Sequence, residues 1–408
     1  MAEAISPSIS LTATPQYRVI KMGLAASIPE RESPRRLLVV AVWLAAALLA
    51  AFLVGPRAFS AGDTHRYVAM VAGETVPAPF AYRVLVPGIV RALPVGIETG
   101  FLITTALFSF LTLLVFHRLL RRIGAGEPAA LITTAALAFA YPIAFYLGRW
   151  GLIEPAANLA LVLALYCFFD DRPGWMALTV FVGVTAKESV LLLLPLLLWA
   201  VWRRGGPPVA RLGYSALAVV PPLLLLAFLR ARIPVEPSVY DVAGPEDLRA
   251  LWAFILDYNF TGYGFIPRLG REFLRSFGFF WTFALLGWRL VPERRTRAVC
   301  LYLVAVSVGL CVVATDWSRM LAFGFPGVFI PAAFLIRRGL AGAGGRWVAA
   351  ALLLLSAAQG YVALLSYEEL GRFGRAGLVG GSVLLFAAGS LLAAYLARAR
   401  PKAEAAIG

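Results

Sequence analysis

The chain has 408 residues, of which 61% are hydrophobic and only 14% are charged, and its formal net charge is +15. Together with a mean hydropathy of +0.81, this composition excludes an ordinary soluble protein and indicates a single membrane domain. Basic residues of polytopic membrane proteins collect in cytoplasmic loops, so the positive charge predicts no nucleic-acid partner.

Twelve apolar segments are long enough, alone or as broken helices shielded by protein, to cross a bilayer. The predicted fold class is therefore all-α: a polytopic integral membrane protein of about 12 transmembrane helices. We expect a disordered cytoplasmic tail at 1–36, the transmembrane domain at 37–397, and a second cytoplasmic tail at 398–408. The apolar segments are 37–56, 100–117, 128–147, 155–169, 174–186, 189–202, 212–229, 273–290, 298–315, 320–336, 347–366 and 377–397.

Lysine and arginine are concentrated in alternate connections, beginning with the N-terminal tail. The positive-inside rule therefore predicts that both chain termini are cytoplasmic. Four clusters of mixed charge then lie at the extracytoplasmic ends of helices. An ionisable residue at membrane depth usually faces a cavity or a partner, so the shared face predicts one site. The clusters are Asp63 with His65 and Arg66, Arg149 with Glu154, Lys187 with Glu188, and Asp316 with Arg319.

Two long connections, 57–99 and 230–272, are predicted at the same extracytoplasmic face. The first contains "PFAYRVLVPGIVRALP", whose apolar residues recur at helical spacing, as in a helix lying in the membrane interface. On this segment Tyr82 and Arg83 either reach the headgroup of a lipid substrate or only snorkel to the interface. The second connection is rich in aromatic residues and is either a lid over a membrane-level cleft or a plain connector.

The segment "GVTAKESVLLLLPLLL" predicts a broken span. Between the charged markers Asp171 and Arg203 lie about 30 residues, whereas one straight helix crosses a bilayer with about 20. Two helices of about 20 Å each would end below the outer surface of an apolar core about 30 Å thick. Lys187 and Glu188 would then lie at the floor of an outward-facing cavity, where the ammonium suits a phosphate. The alternative is an internal ion pair of Lys187 with Glu188 or with Asp63.

The stretch "GDTHRY" supplies the candidate catalytic residue. Asp63 is a candidate base or metal ligand, because an ionised carboxylate beside an apolar cleft can accept a proton from an acceptor hydroxyl. His65 and Arg66 are candidates to hold a phosphate leaving group. The alternative is that Asp63 caps a short helix while His65 and Arg66 lie in solvent.

Two further clusters complete the predicted substrate-binding set. Arg319 either makes bidentate contacts to a phosphate or forms a structural pair with Asp316. Arg149 and Glu154 either line the cleft or lie at helix ends in the interface. No nucleotide-binding glycine pattern and no hydrolase motif occurs in the sequence, so we expect no nucleotide to bind directly.

These motifs, in this order and on one face, resemble the C-type (GT-C) polytopic glycosyltransferases over about residues 37–335: Asp63 in the first external loop, "TAKES" on a short helix pair, and "SRMLAFGFP" late in the chain. The resemblance implies transfer of a sugar from a polyprenyl-phosphate donor to an extracytoplasmic glycan, lipid or protein at the plasma (inner) membrane. Asp63 would be the base or a metal-site residue, while Lys187, Arg83 and Arg319 would hold the donor phosphate. Many relatives carry a second acidic residue beside this Asp, where this chain has Thr64 and His65, so use of a divalent cation stays open.

Other classes of function remain open from the sequence. A polymerase or ligase of lipid-linked glycans would share an external arginine-rich site and a long loop. A 12-helix transporter usually has related halves, and no repeat is apparent between 37–202 and 212–397. A membrane scaffold without chemistry is the remaining alternative.

Overall fold

The computed structural model of the protein describes residues 34–55, 57, 59, 63–236, 245–257, 265–314, 316–342, 344–364 and 372–398. In this part of the chain the fold is all-α, as predicted, with eighteen α-helices and one short strand pairing. The predicted tails at 1–36 and 398–408 lie outside the described residues, apart from 34–36 and 398. Contacts divide the chain into Met1–Val39, whose described residues begin the first helix, and Val40–Gly408, which contains all the residues of the candidate site.

The first half of the chain alternates long apolar helices with short ones. The bounds are α1 (Pro34–Val54), α2 (Thr64–Ala72), β1 (Val76–Pro77), a 3-10 turn (Phe80–Tyr82), α3 (Leu85–Ala92), α4 (Ile97–Arg122), α5 (Glu127–Ala138), α6 (Tyr141–Gly148), α7 (Glu154–Phe169), α8 (Pro173–Ala186), a 3-10 helix (Glu188–Leu193) and α9 (Leu194–Arg203).

The second half follows the same plan and ends on two long helices. Its bounds are α10 (Pro208–Arg232), β2 (Val235–Glu236), α11 (Pro245–Leu256), α12 (Phe265–Phe277), α13 (Phe280–Gly287), a 3-10 turn (Trp288–Leu290), α14 (Arg294–Val313), α15 (Trp317–Phe323), α16 (Phe325–Leu340), α17 (Gly345–Leu364) and α18 (Arg372–Arg398). The central packing brings α4 against α7, α7 against α8, and α13 against α16.

Among the described residues, six helices are long and apolar enough to cross a membrane, or seven if α15 and α16, which meet at a 57° bend, form one span. In the most apolar windows of α10 and α18 only 17% and 11% of residues are buried. Such apolar exposure is expected of surfaces that face lipid, and the chain is a multi-pass membrane protein.

The predicted count of about 12 spans is not confirmed. All twelve predicted segments contain helix, but several are too short or too interrupted to qualify by length. The segment 128–147 does qualify, as α5 and α6 taken together (Glu127–Gly148), whereas 273–290 is divided between α12 and α13. Helices α7 and α8 are apolar but shorter than an ordinary span. The predicted orientation of the termini is likewise not confirmed by the helices.

The two long connections are joined to each other. Strands β1 and β2 pair in parallel, with Val76 opposite Val235 and Pro77 opposite Glu236. The helix predicted in the first connection is α3, which begins just after the 3-10 turn. Of the second connection, 237–244 and 258–264 lie outside the described residues, so the predicted lid stays a prediction.

The predicted break near Lys187 is confirmed. Helix α8 ends at Ala186, Lys187 is extended (φ −162°, ψ 133°), and the chain continues in the 3-10 helix and α9. The return is tight at Gly183, where an added Cβ would lie 2.8 Å from Val190 and 2.9 Å from Ala160. With only 14 residues, α8 is about 21 Å long, which is shorter than the apolar core of a bilayer, about 30 Å.

Candidate functional site

The charged residues of the site lie at the ends of helices rather than in their middles. Asp63 immediately precedes α2, Glu154 is the first residue of α7, and Asp316 immediately precedes α15. Lys187 follows the last residue of α8. Helix ends are where the chain changes direction, so side chains from distant segments can converge there on one volume.

Arg319, on α15, is the centre of the site. Its Nη1 donates to Asp63 Oδ2 at 2.8 Å, and its Nε donates to Glu154 Oε1 at 2.9 Å. Its Nη2 also contacts Glu154 Oε1, and Asp316 Oδ2 lies 3.6 Å from Nη1. One guanidinium therefore links the residue before α2, the start of α7 and the start of α15.

Lys187 contacts the same carboxylate. Its Nζ donates to Glu154 Oε1 at 2.9 Å, and both side chains are buried. All of the described contacts to Glu154 thus go to Oε1, while Oε2 is buried and has no hydrogen-bond partner in the described part of the chain. A buried carboxylate oxygen without a donor is costly, which suits an atom that receives a substrate hydroxyl.

Arg83 forms a second branch of the site. Its Nε donates to Glu188 Oε2 at 2.9 Å, its Nη2 contacts Glu188 Oε1, and its Nη1 donates to the Tyr67 hydroxyl at 3.0 Å. Burial raises the pKa of Tyr67, so its hydroxyl remains protonated while its oxygen accepts from Arg83. Arg83 is thereby held in one orientation between α2 and the break after α8.

Both carboxylate oxygens of Asp63 accept hydrogen bonds from arginines. Arg66 Nη1 donates to Oδ1 at 2.6 Å, while Arg319 holds Oδ2. The Asp63 side chain makes no capping hydrogen bond to α2, so the alternative of a simple helix cap is wrong. The Arg66 guanidinium also lies over the Phe80 ring, 4.2 Å from its centroid.

Ion pairs link six of these charged side chains through Arg319 and Glu154, and the Arg83–Glu188 pair lies beside them. The eight together, called the charge network below, contain four positive and four negative charges. Exposure differs widely among the carboxylates: the side chains of Glu154, Asp63, Glu188 and Asp316 are 4%, 18%, 30% and 46% exposed. The innermost acid is therefore fixed, and the outer ones are close to solvent. The members are Arg66, Arg83, Lys187, Arg319, Asp63, Glu154, Glu188 and Asp316.

A cavity adjoins the inner part of this network. The space in it that the centre of a water-sized sphere can occupy is about 10 Å³, so in this conformation it is a narrow cleft. Its lining combines charged groups with apolar side chains of α14 and α15, a combination that suits an amphipathic ligand. The lining residues are Tyr146, Glu154, Ala157, Asn158, Lys187, Ser189, Leu310, Arg319, Met320 and Phe323.

The loop between α6 and α7 sets the position of Glu154. At Gly151 the backbone has φ +123°, and an added Cβ would overlap the Thr64 side chain next to Asp63. Only glycine adopts this conformation and allows this approach without strain. Asn158 Nδ2 donates to the Pro142 carbonyl at 2.9 Å and so ties α7 to α6.

Most of the predicted site residues meet in this network, and three do not. His65 is exposed, Tyr82 lies against Arg230 at the end of α10 with 5.7 Å between guanidinium and ring centroid, and Arg149 lies over the Phe145 ring. The predicted alternative partners of Lys187, which were Glu188 and Asp63, are wrong, because its described ion pair is with Glu154.

The prediction missed Tyr67, Tyr146 and Asn158. Tyr67 belongs to the quoted stretch "GDTHRY", so its proximity to Asp63 was visible, but nothing in the sequence indicated contact with Arg83. Tyr146 and Asn158 are residue types common in the cores of helical membrane proteins. Their place beside the cavity follows only from the packing of α6 and α7.

The described side chains of the site do not provide a set of ligands that fits a divalent cation. Among the described residues, no group of three or more His, Cys, Asp and Glu side chains is placed to hold a metal ion. Asp63 and Glu154 both contact the Arg319 guanidinium. A metal ion between these two acids would be repelled by that guanidinium.

No protein-family profile matches the chain, and no curated protein matches it. The chain is similar to the solved apo structure of ArnT from Cupriavidus metallidurans, with 18% identity, a TM-score of 0.47, and coverage of 92% of this chain and 80% of that one. It is also similar to the oligosaccharyltransferase of Archaeoglobus fulgidus, solved with a tethered acceptor peptide, with 11% identity, a TM-score of 0.48, and coverage of 90% and 55%. At these identities and TM-scores the likeness does not assign an activity to this chain.

Proposed function

We propose that this chain is a membrane glycosyltransferase that moves a sugar from a polyprenyl-phosphate donor to an extracytoplasmic acceptor. The observation that carries the proposal is the convergence of Asp63, Lys187 and Arg319 around Glu154 at the broken end of α8, beside a narrow cleft lined by both charged and apolar side chains. The active face is the extracytoplasmic face of the plasma (inner) membrane, in line with the distribution of basic residues in the sequence.

The lining of the cleft suits a lipid phosphate, and the cleft would have to widen to admit one. Lys187 and Arg319 line it together with Leu310, Met320 and Phe323. A phosphate would bind at the two cations, and an isoprenoid tail would leave along the apolar side chains toward lipid. This arrangement supports a lipid-linked donor over a soluble one.

Binding of a phosphate requires a change in the charge network, because each of its four cations has a carboxylate partner. Glu154 is too deeply buried to leave. Glu188 is 30% exposed and belongs to a 3-10 helix. We therefore propose that its ion pair with Arg83 breaks when the donor binds, and that Arg83 then binds the donor phosphate. The phosphate would then be held by Arg83, Lys187 and Arg319 on three separate segments.

The transfer step needs a leaving phosphate and an oriented hydroxyl. The bond from the anomeric carbon to the phosphate oxygen breaks, and its electron pair stays on the phosphate, whose negative charge the three cations stabilise. The acceptor hydroxyl forms the new bond to the anomeric carbon and gives its proton to Asp63. Arg66 and Arg319 fix the direction of the Asp63 carboxylate for this contact.

The test is release of polyprenyl phosphate by the purified full-length protein in detergent, from a panel of polyprenyl-phosphate sugars and with envelope extract as acceptor. We expect release by wild type and its loss in Asp63→Asn and Lys187→Gln. Glu74→Gln and Arg91→Gln are matched controls, because both side chains are exposed near α2 and α3, outside the charge network. Absence of release from every donor, with ligand-driven uptake in proteoliposomes, would make the protein a transporter instead.

A further inference from the structure

A cluster of arginines lies at the opposite end of α7 and α8 from the charge network. Helix α7 begins at Glu154 and extends for 16 residues, about 24 Å, and α8 then returns toward Lys187. The turn between the two helices is therefore about one helix length away from the transfer site. Arginines from the ends of α4 and α9 and from the start of α14 meet at this turn. The five residues, called the arginine cluster below, are Arg122, Arg172, Arg203, Arg204 and Arg295.

Each of the two aspartates in this turn is shared by two members of the arginine cluster. Asp170 lies 2.7 Å from Nε of Arg172 and 3.1 Å from Nε of Arg122. The ion pairs therefore bring the ends of α4, α9 and α14 to the turn between α7 and α8. The arginines that share Asp171 Oδ1 are Arg203 and Arg295.

The carboxylates near the arginine cluster do not balance its charge. In the described part of the chain, Arg204 contacts only the backbone carbonyl of Asp171, which has no net charge. Glu293, which precedes α14, supplies a third carboxylate within electrostatic reach of Arg295. Five arginines thus face three carboxylates and leave an excess of two positive charges.

A sixth arginine, Arg211, extends the positive surface onto α10. Its guanidinium carbon lies 5.0 Å from the ring centroid of Trp202, whose Nε1 donates to Ser215 at 3.0 Å. The Nε groups of Arg211 and Arg295 are buried and have no hydrogen-bond acceptor among the residues that the structure describes. Buried donors without an acceptor are rare, so these two indicate a ligand that supplies oxygen atoms.

Exposed tryptophans indicate that the arginine cluster lies at the level of lipid headgroups. Trp175 is three residues after Arg172 at the start of α8, while Trp199 and Trp202 come just before Arg203 at the end of α9. All three tryptophans are exposed. Tryptophan is enriched at the membrane–water interface, where its ring lies among headgroups.

We propose that the arginine cluster and Arg211 bind the headgroup of an anionic phospholipid through its phosphodiester. Guanidiniums form bidentate hydrogen bonds to phosphate oxygens, and the excess positive charge favours a lipid with net negative charge over a zwitterionic one. The acyl chains would lie against α8 and α10, which pack together and expose Leu178 and Leu212 near this end. Anionic lipid is abundant in the cytoplasmic leaflet, and the positive-inside rule predicts that this end is cytoplasmic.

The inference does not depend on the proposed transfer, because the two sites lie at opposite ends of α7 and α8. A bound lipid would hold the turn between the helices whose other ends position Glu154 and Lys187. Failure of either proposal therefore leaves the other in place.

The experiment measures binding of phosphatidylglycerol to the full-length protein by native mass spectrometry. Phosphatidylcholine is the zwitterionic control, and glycerol 3-phosphate is a soluble competitor with the same phosphate chemistry. We expect wild type to prefer phosphatidylglycerol. One cationic side chain near an anionic lipid changes the affinity about fivefold, so Arg204→Gln and Arg211→Gln should each weaken binding about fivefold and together about 25-fold. Arg204→Lys and Arg211→Lys keep the charge and should keep most of the binding.

Controls separate lipid binding at this end from general attraction and from misfolding. Arg91→Gln removes an exposed arginine near the start of α4, at the far end from Arg122, and should bind phosphatidylglycerol as wild type does. Thermal melts of the same samples in phosphatidylcholine check that each variant is folded. Equal preference for phosphatidylglycerol in wild type and in the double glutamine variant, or no preference in wild type, would overturn the inference. Displacement of phosphatidylglycerol by glycerol 3-phosphate would make the ligand a soluble phosphate and overturn the assignment to a lipid.

Discussion

Replacing Glu188 with glutamine is expected to tighten binding of a polyprenyl phosphate while lowering the stability of the protein. Glu188 holds Arg83 through two contacts, one of them 2.9 Å long. A hydrogen bond to a charged group contributes about 1.5–3 kcal/mol, and the 30% exposure of the Glu188 side chain places this one at the lower end. If the donor phosphate displaces Glu188, removing its charge should tighten binding by about tenfold, equivalent to about 1.4 kcal/mol. The free energy of unfolding should fall by about 1–2 kcal/mol, because Arg83 loses its ionic partner.

The assay is direct binding of farnesyl phosphate to wild type and Glu188→Gln in detergent, with thermal unfolding measured on the same samples. Glu74→Gln is the matched control, since Glu74 is exposed and outside the network. Unchanged affinity in Glu188→Gln would mean that Arg83 does not bind the phosphate. Weaker affinity would mean that Glu188 holds Arg83 in its binding position. Either result would refute the proposal that the donor phosphate displaces Glu188 from Arg83.

Three further predictions follow from the packing of the site. Glu154→Gln leaves two buried cations without their shared charge and should lower the free energy of unfolding by about 3–5 kcal/mol in thermal melts; a melting temperature equal to wild type would contradict the described ion pairs. Gly151→Ala should lower the free energy of unfolding by about 1–3 kcal/mol, because this residue has a positive φ and an added Cβ would overlap Thr64. Gly174→Ala, which has open space around it, should not destabilise the protein. Equal melting temperatures for the two variants would contradict this account of Gly151. Glu74→Cys should react with a membrane-impermeant thiol reagent on intact cells, and reaction only after permeabilisation would reverse the orientation.

The general location of the site was predictable because charge is rare in this chain. In an apolar sequence, Asp63, Glu154, Lys187 and Arg319 stand out, and the cost of burying them restricts them to a shared polar volume. The break at Lys187 was predictable for a related reason: the segment is too long for one span and carries its charges in the middle. Both inferences use only spacing and the energetics of burial.

The partners within the site were not predictable. Arg319 and Asp63 are 256 positions apart, and Lys187 and Glu154 are 33 apart, so their contacts depend on how α7, α8 and α15 pack. Local proximity was misleading, because Lys187 contacts Glu154 while its neighbour Glu188 faces Arg83. The predicted number of spans was not confirmed for a similar reason, since helices that are shielded by protein need not be long enough to cross a bilayer alone.

The most direct test of the proposed transfer is the stoichiometry of the reaction in proteoliposomes loaded with a polyprenyl-phosphate sugar. The amount of polyprenyl phosphate released is compared with the amount of sugar that appears on the acceptor, for wild type and for Asp63→Asn. The account predicts a ratio of about one to one in wild type, with both products lost together in the variant. Release of polyprenyl phosphate without sugar on any acceptor, or full activity in Asp63→Asn, would contradict it.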